Sequence, residues 1–118
     1  VCGEWLFQAH GTKYKLQHEY FVAFDIFDKN NERIVYDDFV IRCELGRLII
    51  PNLVSKGPSI SVLDAMALAG VNGKHGATEP IEGLVYRVEK GGKVSFLCKY
   101  VDHDKIDGKY LTGEPIYN

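Results

Sequence analysis

The sequence predicts an α+β fold in which antiparallel sheets are flanked by helices. Two runs rich in Val, Leu, Tyr and Phe surround Gly91-Gly92, and a glycine pair between such runs is typical of a two-residue β-hairpin turn. Residues 19–27 form a further apolar run with strand-forming side chains. Two stretches, 37–46 and 59–70, each combine a helix-capping side chain with a terminal glycine. Strands and helices therefore occupy separate blocks, as in α+β domains.

The register of the hairpin follows from counting outward from Gly91-Gly92. Leu84 then lies opposite Lys99, and Glu82 lies opposite Val101. Paired residues share a face of the sheet, and diagonal neighbours are about 7–8 Å apart. We therefore expect Glu82 and Lys99 to project from the same side, as an acid and an amine separated by the width of an ion or a phosphate.

Two earlier stretches are also predicted strands. Gly3–Ala9 is rich in aromatic and aliphatic residues. Glu19–Phe27 is apolar on both faces apart from Asp25, which predicts a central strand covered on both sides. On the residues alone, Phe24 is expected in the core, and Asp25 is expected to cap or bond neighbouring backbone.

The first predicted helix lies between two short strands. Asp37 or Asp38 can cap it through a side-chain oxygen, and Gly46 can stop it. Residues 32–36 are predicted to form the strand before the helix, and residues 48–50 the strand after it.

The second predicted helix is capped by Ser59 or Ser61 and stopped by Gly70. Its apolar side chains are spaced for one buried face: Val62, Leu63, Met66 and Leu68. Residues 71–78 are a predicted surface loop that leads into the hairpin. Residues 102–118 are polar and interrupted by Gly and Pro, which predicts an irregular extension of the same domain.

Composition narrows the class of protein. A chain of 118 residues suffices for one domain, and its net charge of −2 gives no global field that would attract nucleic acid. No apolar run is long enough to span a bilayer, so no membrane partner is expected. The three cysteines are far apart and lack CxxC spacing, which favours a reducing, intracellular compartment over a disulfide framework. Cys98 is expected to be buried.

Two glutamates stand beside glycines at strand positions, Gly3-Glu4 and Glu82-Gly83. Glycine in a strand often marks a place where a ligand or another backbone approaches closely. Two such pairs on separate strands, one of them facing a lysine, point to a site for a metal or for sugar hydroxyls. By contrast, His10 and His75 are expected to be exposed or hydrogen-bonded, and Asp102-His103-Asp104 is expected to be a solvated turn.

Four segments in order resemble a known family. Together they resemble motifs III, IIIa, IV and V of the covalent nucleotidyltransferases (RNA ligases, DNA ligases and mRNA capping enzymes), and the ATP-dependent RNA ligases most closely. The resemblance spans Gly3 to Tyr100. The four segments are Gly3-Glu4-Trp5-Leu6, residues 20–27 (YFVAFDIF), residues 82–87 (EGLVYR) and Cys98-Lys99-Tyr100.

The resemblance implies a role for four residues. Glu4 would contact the nucleotide ribose, and Phe24 would stack on adenine, which moves it out of the expected core. Glu82 would help to hold a divalent metal, Mg²⁺ or Mn²⁺, and Lys99 would contact the nucleotide phosphate. ATP or AMP is the implied cofactor, and nucleic acid ends, preferably of RNA, are the implied partner.

The chain departs from the family pattern in three places. No lysine ahead of Glu4 begins a KxxG motif, which carries the family's nucleophile; Lys105-Ile106-Asp107-Gly108 has this form but follows motif V, and we interpret it as chance. Leu97 stands where motif V often has a first lysine. Arg87 matches a basic position of motif IV, but strict alternation places it opposite Glu82, so it is left out of the site unless a bulge re-aims it.

These observations predict that residues 1–101 are part of an adenylyltransferase domain, the C-terminal part of a ligase-type nucleotidyltransferase. The parent enzyme would join 5′-phosphate and 3′-hydroxyl ends through enzyme-AMP, whereas this chain alone lacks the nucleophilic lysine. Alternatives are a DNA ligase, a capping-type enzyme, a non-catalytic remnant that binds nucleotide or nucleic acid, or a purely structural domain.

Overall fold

The structure, a computed structural model, describes residues 1–118 and has two helices and two antiparallel two-stranded sheets. This confirms the predicted α+β class. Strands β1 and β2 form the first sheet, and β3 and β4 form the second. The elements in chain order are β1 Cys2–Trp5, β2 Phe21–Asp25, α1 Tyr36–Leu45, α2 Val62–Ala69, β3 Gly83–Lys90 and β4 Lys93–Val101.

The small hydrophobic core lies between the first sheet and α1. Ala23 of β2 packs against Phe39 and Cys43 of α1, and all three are buried. Ile49 adds a single parallel bridge on the free edge of β2, where a short strand was predicted. The expectation that β2 is covered on both faces holds at Val22 and Ala23, which are both buried, and fails at Phe24, which is 44% exposed.

Helix α1 begins earlier than predicted. Its N-cap is Val35, which makes no side-chain cap bond, so the capping role expected for Asp37 or Asp38 is wrong. Both aspartates lie instead in the first turn, where negative charge is favourable beside the free N–H groups. The helix takes up Tyr36, and residues 32–36 form only an isolated bridge between Phe27 and Arg33 instead of a strand.

Helix α2 has the predicted ends and a different buried face. Ser61 Oγ accepts a hydrogen bond of 3.1 Å from the Asp64 N–H, and Gly70 is the C-cap with a positive φ of 79°. The predicted apolar stripe is wrong, because Leu63 is 81% exposed. The helix buries its small residues, among them Ala65, which let it lie close to β3.

The β3–β4 hairpin turns where predicted, but its register shifts. Gly91 and Gly92 have φ of 58° and 73°, the pair of positive values that a type I′ turn needs. A bulge then leaves Ser95 unpaired, so that Lys99 lies opposite Val85 and not Leu84. By the same shift, Val101 pairs with Gly83 and not with Glu82. Cys98 is exposed on this hairpin, contrary to the expectation that it is buried.

The C-terminal segment, residues 102–118, contains no helix or strand and lies against the segment that follows β1. The Ala9 N–H donates to the Ile116 carbonyl at 2.7 Å, and the Asn118 N–H donates to the Phe7 carbonyl at 3.0 Å. The predicted strand at Gly3–Ala9 is therefore regular only as far as Trp5, and beyond it the chain pairs with its own C-terminus.

A buried carboxylate connects the two sheets. Asp25 is 3% exposed, and each of its oxygens accepts from an arginine at 2.8 Å, Oδ2 from Arg33 and Oδ1 from Arg87. The Arg87 guanidinium also donates to the Ile34 carbonyl. Asp25 thus has side-chain partners where we expected backbone ones, and one of them comes from β3.

We predict that Arg87→Met destabilises the fold by about 3 kcal/mol, because it leaves the buried Asp25 charge without its partner from the second sheet. The matched control is Lys56→Met, which removes one partner of the Lys56–Asp37 pair, where both side chains are more than half exposed. Urea unfolding measures both free energies. Equal decreases in the free energy of unfolding in the two variants would contradict the proposed contribution of the buried ion pair to stability.

Candidate functional site

The Glu82 carboxylate lies against a tight loop formed by Gly11 and Thr12. The Thr12 hydroxyl donates to Glu82 Oε1 at 3.1 Å, and Thr12 itself is only 5% exposed. A Cβ placed on Gly11 would overlap the same Oε1 atom. Glu82 stands just before β3, and its side chain is therefore directed by this loop and not by the alternation of the strand.

The charges of Glu4 and Glu82 both act on the phenol of Tyr14. The pKa of Tyr14 is raised, first by burial and then by the negative charges of Glu4 and Glu82. Glu4 belongs to β1, whereas Glu82 stands just before β3. The two glutamates therefore come from distant parts of the sequence. The two glutamates that the sequence singled out thus raise the pKa of the same phenol.

Phe24 lies on the same sheet as Glu4 and points away from the core. Its neighbours Ala23 and Asp25 are 0% and 3% exposed, whereas Phe24 is 44% exposed. The register of β1 and β2 shifts at this point, because Cys2 pairs with Asp25 and Gly3 pairs with Ala23, which leaves Phe24 as the extra residue. The bulge presents a phenyl ring to solvent.

Lys99 does not stand where the hairpin count placed it. It is exposed, and it shares its face with its partner Val85 and with Arg87 two residues further along β3. The structure shows no hydrogen bond or ion pair between Lys99 and Glu82. Because the shifted register pairs Lys99 with Val85 and not with Leu84, the expectation that Glu82 and Lys99 share a face is wrong. The pairing of Glu82 with Lys99 then rests on the family resemblance alone.

Glu79 forms a second polar centre beside Tyr14. Its carboxylate accepts from Lys109 Nζ at 2.6 Å, from the Tyr110 hydroxyl at 2.8 Å and from the Lys13 N–H at 3.1 Å. The Lys109 bond, foremost, holds the pKa of Glu79 at about 2, well below its usual 4.5. These bonds tie the C-terminal segment to the loop that carries Tyr14.

The histidines and the acidic turn lie outside this group. His75 is hydrogen-bonded to His18, with Nδ1 and Nε2 3.0 Å apart, and burial followed by the neighbouring His18 lowers the pKa of His75. Asp102, His103 and Asp104 form a turn in which the Asp104 N–H donates to Asp102 Oδ1, and His103 is largely exposed. Their ligand atoms are close enough to hold an ion, but nothing beyond the turn itself points to one.

Comparison with known proteins gives the family. A family model described as RNA ligase matches residues 1–101. The chain belongs to the RNA ligase family. Neither the search of the curated proteins nor that of the solved structures returned a match. The match ends at Val101, where β4 ends, and it includes all four residues that the resemblance singled out.

In this member of the RNA ligase family, the sequence predicted Glu4 and Glu82 as site residues but did not predict the residues that contact them. A charged residue in an otherwise apolar strand signals a buried ion pair, and Asp25 carried that signal. Nothing local marks Thr12 or Glu79, because their partners lie 70 and 30 residues away. No helix in the structure combines the length and the apolar character needed to cross a membrane.

We predict that Glu79→Gln lowers the free energy of unfolding at pH 7 and reduces its dependence on pH. A carboxylate with a depressed pKa stabilises the fold above its unfolded pKa, near 4.5, and that stabilisation disappears as the pH falls towards 2. The difference between wild type and variant should therefore shrink as the pH falls from 4.5. Urea unfolding at a series of pH values measures it.

The matched control for this experiment is Glu114→Gln, at an exposed glutamate of the same C-terminal region that makes no ion pair. Its stability curve should run parallel to that of wild type over the whole range. A Glu79→Gln curve that also runs parallel to wild type would show that the Lys109 and Tyr110 bonds do not stabilise the fold.

Proposed function

We propose that this chain is the nucleotide-binding part of an ATP-dependent RNA ligase, which joins 5′-phosphate and 3′-hydroxyl ends through an enzyme-AMP intermediate. The observation that supports the proposal is the RNA ligase family match over residues 1–101, together with the charges of Glu4 and Glu82 acting on one phenol and the exposure of Phe24. Residues 1–101 belong to an adenylyltransferase domain, and residues 102–118 extend it.

Glu82 is the proposed metal ligand. Mg²⁺ and Mn²⁺ prefer oxygen donors, and this position offers two glutamate carboxylates near one phenol. Thr12 occupies one lone pair of Oε1, while Oε2 accepts no hydrogen bond from the protein and is available to a cation. When bound, the ion would supply positive charge to the phosphoryl group that is transferred. The donor set fits such an ion.

Phe24 and Glu4 are proposed to hold the nucleoside. A half-exposed phenyl ring can stack on adenine, since every purine presents a π-face and stacking needs no hydrogen-bond match. The Glu4 carboxylate can accept hydrogen bonds from the ribose hydroxyls. Both residues belong to the first sheet, so the core formed by Ala23, Phe39 and Cys43 would fix their separation.

Lys99 is proposed, from the family resemblance, to contact the phosphate. It is exposed and unpaired, so its ammonium is free to bind an anion, and Arg87 on the same face is already committed to Asp25. With Leu97 in place of the first motif V lysine, this chain has one lysine at that position where many family members have two. Lys99 would therefore carry the phosphate contact of this strand without a second lysine.

The nucleophile is proposed to come from outside these 118 residues. Covalent transfer needs a lysine amine at the α-phosphate, and no KxxG precedes Glu4. The second candidate is a remnant that binds nucleotide or nucleic acid without catalysis. A DNA ligase or a capping-type enzyme would use the same nucleotide contacts on a different substrate.

We predict that Phe24→Ala weakens binding of ATP with Mg²⁺ by about tenfold, since stacking of a base on an aromatic ring contributes about 1–3 kcal/mol. The control is Phe96→Ala, which removes another exposed phenyl ring, 52% exposed on β4. Equilibrium dialysis with radiolabelled ATP measures both. Unchanged binding in Phe24→Ala, or an equal loss in both variants, would reject the adenine contact.

Transfer of radiolabelled AMP from ATP separates ligase from remnant. The gene product that includes a KxxG segment should form a labelled adduct, which is lost when the KxxG lysine is replaced. Lys105→Ala should leave the label unchanged, because Lys105 follows motif V. A gene product that forms no adduct would reject the ligase and favour the remnant.

A further inference from the structure

The loop around Gly11 and Thr12 has a feature that nucleotide binding does not explain. A buried threonine hydroxyl must find a hydrogen-bond partner, and Thr12, 5% exposed, donates to a carboxylate at 3.1 Å instead of to backbone. That carboxylate is Glu82, which stands 70 residues later in the sequence.

Gly11 leaves room for the same Glu82 carboxylate, because it has no side chain. Its backbone conformation does not require glycine, because its φ lies outside the positive range, but a Cβ there would overlap Glu82 Oε1. The Ile106 carbonyl oxygen lies 3.7 Å from that Cβ position. The space beside Gly11 is therefore filled by the Glu82 carboxylate, and a methyl group would displace it.

The loop is anchored on both sides by backbone hydrogen bonds. Before it, the His10 carbonyl accepts from the Tyr110 N–H at 2.7 Å. After it, the Lys13 carbonyl accepts from the Thr78 N–H at 2.9 Å, and Tyr14 pairs with Ala77. A fixed loop and a flexible glutamate side chain make the loop the element that directs the other.

We infer that Gly11 and Thr12 position the Glu82 carboxylate for a divalent cation, with Thr12 fixing Oε1 and leaving Oε2 free for the ion. Thr12 is thus a positioning residue that acts through Glu82. The inference rests on the proposed function for the identity of the ion as Mg²⁺ or Mn²⁺. A hydroxyl has a single hydrogen to donate, so the bond from Thr12 to Glu82 Oε1 commits it to that carboxylate.

The test measures Mn²⁺ alone, on the 118-residue chain, by the Mn²⁺-dependent broadening of the Gly83 amide signal. The Asp104 amide serves as a second probe, so that binding at the exposed turn is recognised separately. Thr12→Val should weaken binding at Gly83 by about tenfold, the effect typical of losing a partner that orients a metal ligand. Thr12→Ser keeps the hydroxyl and should bind like wild type.

Two further variants complete the set. Thr112→Val removes an exposed threonine hydroxyl of the C-terminal segment, away from the loop, and it should leave binding unchanged. Gly11→Ala should weaken binding at least as much as Thr12→Val. Binding in Thr12→Val equal to that of wild type, or a loss in Thr12→Ser equal to that in Thr12→Val, would overturn the inference.

A measurement without metal separates this inference from the proposed function. Three-bond couplings report whether the Glu82 side chain keeps one χ1 rotamer, which wild type and Thr12→Ser should do and Thr12→Val should not. If wild type fixes Glu82 and binds no Mn²⁺, the proposed metal site fails while the positioning stands. If Glu82 averages among rotamers in wild type, the positioning itself is overturned.

Discussion

The Asp25 carboxylate is the constraint on which the arrangement of this molecule depends. A charge in an apolar strand is costly to bury, and here two arginines compensate it, each 2.8 Å from one oxygen. Arg33 belongs to the segment that leads into α1, whereas Arg87 belongs to β3. Since the hydrophobic core of Ala23, Phe39 and Cys43 involves only the first sheet and α1, the second sheet is joined to it by polar contacts, with Asp25–Arg87 the most buried ion pair among them.

Both residues of that ion pair lie near a β-bulge. The bulges explain why strict alternation of side chains along the strands predicted the wrong faces. Phe24, which precedes Asp25, is the extra residue of β2, and the hairpin shifts register just after Arg87, where Ser95 is left unpaired. A bulge bends a strand and increases its twist, so it can turn a side chain towards a partner that strict alternation would miss. The same devices that allow the ion pair to form expose the Phe24 ring.

The features that the sequence could predict are those that depend on interactions between residues close together in the chain. Gly91-Gly92 and the Ser61 cap were predictable because turn and cap chemistry act within four residues. The register beyond Ser95 was not, since a bulge leaves no local signature in the printed residues. The prediction of the buried face of α2 was wrong, because a helix that is apolar nearly all round does not reveal which side a neighbour covers. The structure buries small residues such as Ala65 and leaves Leu63 exposed. Glu4 and Glu82 were predicted from the glycines beside them. Thr12 could not be predicted, because its partner Glu82 lies 70 residues away in the sequence.

The charges around Tyr14 set an order of events for the proposed site. Glu4, Glu82 and Glu79 all act on this phenol, and Glu79 alone has an ammonium of its own, from Lys109. Glu4 and Glu82 have no such partner, and Lys99 lies on the face of Arg87 without a bond to either of them. A carboxylate repels an approaching anion, weakly in water and more strongly where water is partly excluded. A polyphosphate approaching two uncompensated carboxylates would therefore be opposed until a cation neutralised them, so the proposed mechanism requires the metal to arrive before the nucleotide or together with it.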